Sequence, residues 1–456
     1  MKDLTQGSIP RHLVSMAIPM MIGMFVQTLY FLVDLYFVGK LGATALAGLS
    51  LAGNVMFLIF ALTQVLNVGT ASLIAHAVGR KDKADANVIF NQSLMISSVV
   101  GVIVCIIGYL GAESYLSMVS EDPNTVAAGL AYLSWFIPCM ALQFMMVAMS
   151  AALRGTGIVK PTMMIQMISI LINIILSPIL IAGWGTGYAM GIAGAGLASS
   201  ISVVCALILL CLYFKKADKY ISVEFSLWKL DVTCLKKILT IGLPAGGEFF
   251  LMFVYMATIY WLIQGFGADA QAGFGLGSRI MQSLFLPAMA LAFAAPAVAG
   301  QNFGAKKYHR VRETFIWSVI LTCALMALLT LICLWQAPLL LQGFTINSEV
   351  LIISATFLQM ICWNFVPSGV IFTCSGLFQA LGNTWPALIS TATRLISFLI
   401  PALWISQQDD FHVEQIWYLS VTTVCLQASL SFYLLRREFR KRLPTQENSP
   451  TKEIIA

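Results

Sequence analysis

The sequence predicts an all-α integral membrane protein, with twelve transmembrane helices in two six-helix lobes that repeat each other in parallel. Three observations carry that expectation. Hydrophobic residues make up 59% of the chain and charged residues only 10%, a balance that suits a bilayer rather than a water-soluble core. Apolar runs of about 20 residues, the length that crosses a hydrocarbon core, recur twelve times. The chain also matches itself at an offset of 225 positions, which lays Pro244 on Pro19, Gly267 on Gly42, Lys306 on Lys81 and Gly382 on Gly157.

The first run, 13–38, is too long and too interrupted by Pro19 and Asp34 for a cleavable leader, so it stays as a helix. The second, 46–77, lies between Lys40 and Arg80; the third, 89–111, ends at Glu113; the fourth, 126–152, lies between Pro123 and Arg154. Pro161 opens the fifth, 161–183, and the glycine-rich "GWGTGYAMGIAGAG" leads into the sixth, 191–214. A basic linker follows. The remaining runs, 237–264, 272–299, 313–337, 350–380, 386–405 and 413–435, repeat the first six. Residues 1–214 therefore form the first lobe, 215–237 the linker, 238–442 the second lobe and 443–456 a short polar tail. Six spans is an even number, so the second half enters the membrane in the same sense as the first. That is the parallel-repeat design of transporters.

Charge sorting gives orientation. The amino terminus, the loops after even-numbered spans, the linker and the tail hold 23 of the 26 Lys and Arg; the opposite loops carry acids instead. Both termini are then expected in the cytoplasm, and the formal charge of +6 follows from topology without a nucleic-acid partner. Ten cysteines fall mostly inside spans without a CxxC pair, and neither HExxH nor GxxxxGK[ST] occurs. No metal site, cofactor or ATPase is indicated, and an enzyme is not expected.

Only two acids, Asp34 and Glu248, fall well inside spans, where a carboxylate must be neutralised, paired or wet. Each reads either as a satisfied structural acid or as a functional one. Asp34 lies about 9 Å from the Lys40 end of its helix, and Glu248 nearer the middle of its own. Gln27, Tyr30 and Asp34 share one helical face. A desolvated carboxylate on that face could exchange a proton or, with neighbouring oxygens, hold a cation. Pro19 and Pro244, at matching positions, are candidate kinks that either shape their helices or hinge them. The spacings Gly242–Gly246 and Gly273–Gly277 permit close helix packing. Arg279 can snorkel, whereas Arg394, mid-span, needs a partner. Met252 and its neighbours offer an adaptable apolar wall.

The segments "VDLYFVGKLG", "LRGTGIVKP", "LINIILSPILI" and "AGQNFGAKK", spread in this order along a parallel repeat, resemble the multidrug and toxic compound extrusion (MATE) family. The resemblance covers all twelve spans. It implies an antiporter, acting as a monomer in a bacterial inner membrane, that expels amphipathic and often cationic compounds in exchange for protons or sodium ions. It further implies that Asp34 is the first-span acid of cation coupling, that Tyr30 and Tyr132 lie near it, and that Asn173 completes the site. Ser177 stands where many relatives have Asp, which leaves a single carboxylate and favours protons, although Na+ at Asp34 and Asn173 stays open. Glu248 resembles the seventh-span acid of several branches, one turn earlier than usual, with Met252 at the usual position. The alternatives are a flippase of lipid-linked precursors, disfavoured by only two buried Arg, and a passive channel, for which no filter loop or charge ring is present.

Overall fold

The computed structural model describes residues 2–444, apart from 186, 217–219, 343–347 and 409, and apart from the side chains of 29–35, 43 and 268. The tail from 445 onward lies outside the described residues. The first half runs α1 (Ile9–Gly39), α2 (Ala43–Gly79), α3 (Lys83–Val119), α4 (Pro123–Gly155), α5 (Lys160–Ala182) and α6 (Ile192–Lys216). The second runs α7 (Val232–Ile263), α8 (Ala268–Gly304), α9 (Tyr308–Leu341), α10 (Ser348–Ile361), α11 (Phe365–Ala380), α12 (Trp385–Ile405) and α13 (Val413–Arg442). Twelve helical stretches among the described residues are long and apolar enough to span a membrane, α10 and α11 joining into one across a 3-10 turn at Cys362–Asn364. The chain is an all-helical integral membrane protein.

Local chemistry sets the ends. Asp82 caps α3 by accepting from the Asp85 amide, and Asp122 caps α4 by accepting from Asn124 and Thr125, with Pro123 in the first turn. α1 and α7 run unbroken through Pro19 and Pro244. The backbone instead leaves helical geometry at Gln336 in α9, two residues before Pro338.

The repeat extends to the backbone dihedrals. α2 and α8 begin and end at matching positions, and the turns between helices repeat with Gly42 and Gly267 at φ 108° and 90°, Gly157 and Gly382 at 79° and 69°, and Lys81 and Lys306 at 60° and 58°. A lysine in the left-handed region is sterically unfavourable, so its recurrence marks a turn that both halves must make.

By contact, the chain divides into two compact units. One comprises Met1–Asp3 and Ile18–Gly246, the other Leu4–Ala17 and Gly247–Ala456. The cuts fall inside α1 and α7, beside the two prolines. In the first unit, the early turns of α7 close onto α2: a Cβ at Gly242 would collide with the Val65 carbonyl, and one at Gly246 with the Val65 side chain. Gly273 and Gly277 of the second unit similarly lie against Ile353 and Phe357, so both glycine pairs serve close packing. The entrance to α1 is pinned within the second unit. Gln301 accepts from the Leu4 amide at 3.0 Å, Asn302 donates to the Leu4 carbonyl at 3.2 Å, and Lys307 donates to the Thr5 carbonyl at 2.9 Å. The linker before α7 is held in the first unit. Asn91 donates to the Ser222 carbonyl at 2.9 Å, and Gln92 donates to the carbonyls of Leu227 and Lys229 while accepting from the Asp231 amide.

Candidate functional site

α1, α2, α4, α5 and α6 line a half-open cavity of about 450 Å³ in the first unit. Its walls combine Met56, Met140, Phe57 and Phe60 with the amides of Gln27, Gln143, Gln166 and Asn173, and none of the described lining residues is charged. Thioethers and rings adapt to ligands of different shape. The amides add donors and acceptors without the desolvation cost of an ion.

Asn173, buried on α5, donates through Nδ2 to Ser199 Oγ at 3.2 Å and accepts at Oδ1 from Ser177 Oγ at 3.1 Å. Ser177 lies one turn further along α5. Tyr132 is buried with its ring stacked on the wall residue Phe136 at 5.0 Å. Gln166 donates to Gln27 Oε1 at 3.2 Å and Ser169 to the Ser202 carbonyl at 2.8 Å. The structure thus brings Gln27 and Asn173 to one cavity, with Ser177 bonded behind Asn173. α1 carries Tyr30 and Asp34, whose side chains lie outside the described residues. The neutral oxygens of Asn173, Ser177 and Ser199 can orient a polar group or give part of the shell of a hard cation. The charge for a tight cation site must come from a carboxylate.

In the second unit, Glu248 is buried on α7 and accepts from Ser375 Oγ at 2.9 Å; Met252, one turn on, is exposed. The 225 offset places Ile259, Phe398, Ala402 and Phe357 opposite Asp34, Asn173, Ser177 and Tyr132. All four counterparts are apolar and buried. At these positions the first unit's polar set is not duplicated.

Several wall residues escaped the reading of the sequence. Gln143, Gln166 and Ser199 are neutral and so invisible to a search for charge inside spans, although a glutamine in the middle of an apolar run is itself a signal. Arg154, sorted above as a loop cation, turns its guanidinium onto Asn67, which in turn donates to Gln64 at 2.8 Å. Arg394 finds a ring rather than an acid, with its guanidinium 4.2 Å above Tyr255. Arg279 is exposed.

The profile of the MatE family matches residues 19–179 and again 244–405, so both copies of the repeat are recognised and the matches start at Pro19 and Pro244. The chain belongs to the MatE family. It is therefore a transporter of the multidrug efflux class and not an enzyme. It is 25% identical over 435 residues to the multidrug export protein MepA of Staphylococcus saprophyticus, covering 94% of this chain and 95% of that one. MepA of Staphylococcus aureus strain MRSA252 is 26% identical over 434 residues, with 93% and 94% covered. An outward-facing multidrug resistance MATE transporter of the MOP superfamily superposes with a TM-score of 0.90 at 25% identity, over 97% of this chain and 98% of that one. A MOP superfamily transporter from Pyrococcus furiosus, described as having a binding pocket of reverse polarity, gives the same TM-score, identity and coverage. The MATE resemblance drawn from the four sequence segments, the all-helical class and the twelve spans are thus established for this MatE transporter.

Proposed function

We propose that this chain is a secondary active antiporter that exports amphipathic, often cationic compounds in exchange for protons, with the charge state of Asp34 as the coupling device. What supports this reading is the chemistry of the first unit's cavity. Its described walls supply apolar contact and neutral dipoles, and Asp34 is the one carboxylate in the sequence of α1. Protonation of Asp34 from outside removes its charge and weakens cation binding; release of the proton inside restores it. A ligand shifts such an equilibrium only through different affinities for the two states. The family resemblance adds Tyr30 and Tyr132 to the coupling site of Asp34, and the bonded pair Asn173 and Ser177 supplies its neutral oxygens. Pro19 and Pro244, beside the points where α1 and α7 pass between units, are the positions at which the two helices can bend. Glu248, with Gln27 and Met252, contributes to substrate binding. The distribution of Lys and Arg supports both termini facing the cytoplasm, and the chain acts as a monomer in a bacterial inner membrane.

The deciding experiment is efflux of a fluorescent cation from proteoliposomes under an imposed pH gradient and, separately, an imposed sodium gradient. Proton-driven efflux that Asp34→Asn abolishes, in a protein that still inserts, bears the reading out. Efflux driven by sodium alone assigns Asp34, Asn173 and Ser177 to a Na+ site instead. Simple equilibration of the dye without a gradient would make the protein a channel.

A further inference from the structure

α13 runs for 30 residues, whereas about 20 cross a hydrocarbon core. Counted from Val413, a span of that length ends near Phe432, so the last turns of the helix stand at the level of the lipid headgroups. They carry five cations in seven residues: Arg436, Arg437, Arg440, Lys441 and Arg442. The helix sorts these five. Its packed face runs through Val424, Gln427, Ser431, Leu435 and Glu438 at spacings of three and four. Lys441 and Arg442 are tied to that face, approaching Glu438 at 4.0 and 3.0 Å, and Arg442 also donates to the Leu381 carbonyl at 2.9 Å.

Arg436, Arg437 and Arg440 are exposed and make no ion pair among the described residues. They continue the opposite stripe of the helix, which includes Leu426 and Tyr433, 48% and 63% exposed. An apolar side chain left open on a spanning helix meets hydrocarbon, and a tyrosine marks the edge of that layer. The next turn of the same stripe presents three guanidinium groups, of which Arg436 lies 5.8 Å from the centre of the Phe432 ring. The repeat separates this arrangement from the general excess of cations on one side of the membrane. The 225 offset lays Arg436 and Arg437 on Cys211 and Leu212, and Arg440 on Lys215. α6 thus ends in Lys215 and Lys216, which meet the orientation rule with point charges. α13 adds guanidinium forks on one face, and such a fork matches two oxygens of a phosphate.

We propose that the exposed face of the last turns of α13 docks an anionic phospholipid, its phosphate on Arg436, Arg437 and Arg440 and its acyl chains along Tyr433 and Leu426. Charge complementarity selects the occupant, because a basic cluster immediately beyond a span faces the anionic surface of the leaflet. The apolar stripe runs straight into the arginines, so a ligand that fills both joins a hydrocarbon tail to a phosphate. A soluble phosphate would use the arginines and leave the stripe bare. This surface goes beyond the export reading and does not depend on which ion drives export.

The test is native mass spectrometry of the full chain in detergent, titrated with phosphatidylglycerol or with phosphatidylcholine of the same acyl chains. The wild-type protein is expected to bind its first phosphatidylglycerol about tenfold more tightly than its first phosphatidylcholine. Combining Arg436→Gln, Arg437→Gln and Arg440→Gln should abolish that preference and leave phosphatidylcholine binding unchanged, which also reports that the variant is folded. Lys215→Gln with Lys216→Gln, at the matching end of α6, should keep the preference. A wild-type protein without preference, a triple variant that retains it, an equal loss of both lipids in that variant, or an equal loss of preference in the α6 variant overturns the docking site. Displacement of phosphatidylglycerol by free glycerol phosphate would assign the arginines to a soluble phosphate and overturn the lipid as occupant.

Discussion

Ser177 occupies a position where a second carboxylate would change the chemistry of the first unit. Its hydroxyl donates to Asn173 Oδ1, so an acid introduced there would lie against the same amide. Ser177→Asp is expected to move coupling towards sodium, seen as Na+-driven dye efflux absent from the parent protein; unchanged ion dependence would remove this position from the cation site. Glu248→Gln should reduce efflux of cationic dyes several-fold more than that of neutral ones, and equal losses would make the bond to Ser375 structural. Asp34, Glu248 and Arg394 were legible in the sequence because an ion in an apolar run is conspicuous. Asn173 and Tyr132 came through family resemblance, and Gln143 and Gln166 needed coordinates because nothing in their composition separates a cavity amide from one bonded to a neighbouring helix.

Helix boundaries followed closely from the apolar runs, since a bilayer forces each backbone polar group into an intrahelical bond until the chain leaves it. The two departures from regular helix, at Gln336 and at Cys362–Asn364, were not legible: proline marks a lost hydrogen bond, but neighbouring packing decides whether the helix bends. Pro19 and Pro244 lie in unbroken helices. Packing also divides the glycines. Gly242 leaves no room for a side chain beside Val65, whereas Gly111 of α3 has nothing within 4 Å of a built Cβ. Gly242→Leu should destabilise by about 1–3 kcal/mol or more through overpacking, and Gly111→Ala should be neutral or stabilising by about 0.5–1 kcal/mol. Thermal unfolding monitored by size-exclusion chromatography separates the two; similar shifts would mean that α7 tolerates a wider spacing from α2.

The duplication was visible as a sequence offset, yet the sequence suggested lobes that start and stop with the halves. The contact units instead take the early turns of α7 into the first unit and those of α1 into the second. Periodicity assigns residues to helices and cannot say which neighbours each helix chooses. A chain split between Lys216 and Tyr220 should therefore yield two fragments that copurify when expressed together. The first fragment alone lacks Val232–Gly246, which packs over Val65 and Gly69, and is expected to be recovered at much lower yield. Full recovery of that fragment by itself would show that the α7 entrance adds little to the first unit.

The pinned entrances of α1 and α7 also bear on ancestry. A half-length protein built on this plan would leave the early turns of its first helix unhoused and a groove of its own unfilled, and two copies could satisfy both needs by trading those turns, as domain-swapped dimers do. Head-to-tail fusion of such a pair turns the trade into a permanent feature of one polypeptide. The prolines beside the crossing points then stand where the ancestral subunit would have handed the opening turns of its first helix to its twin.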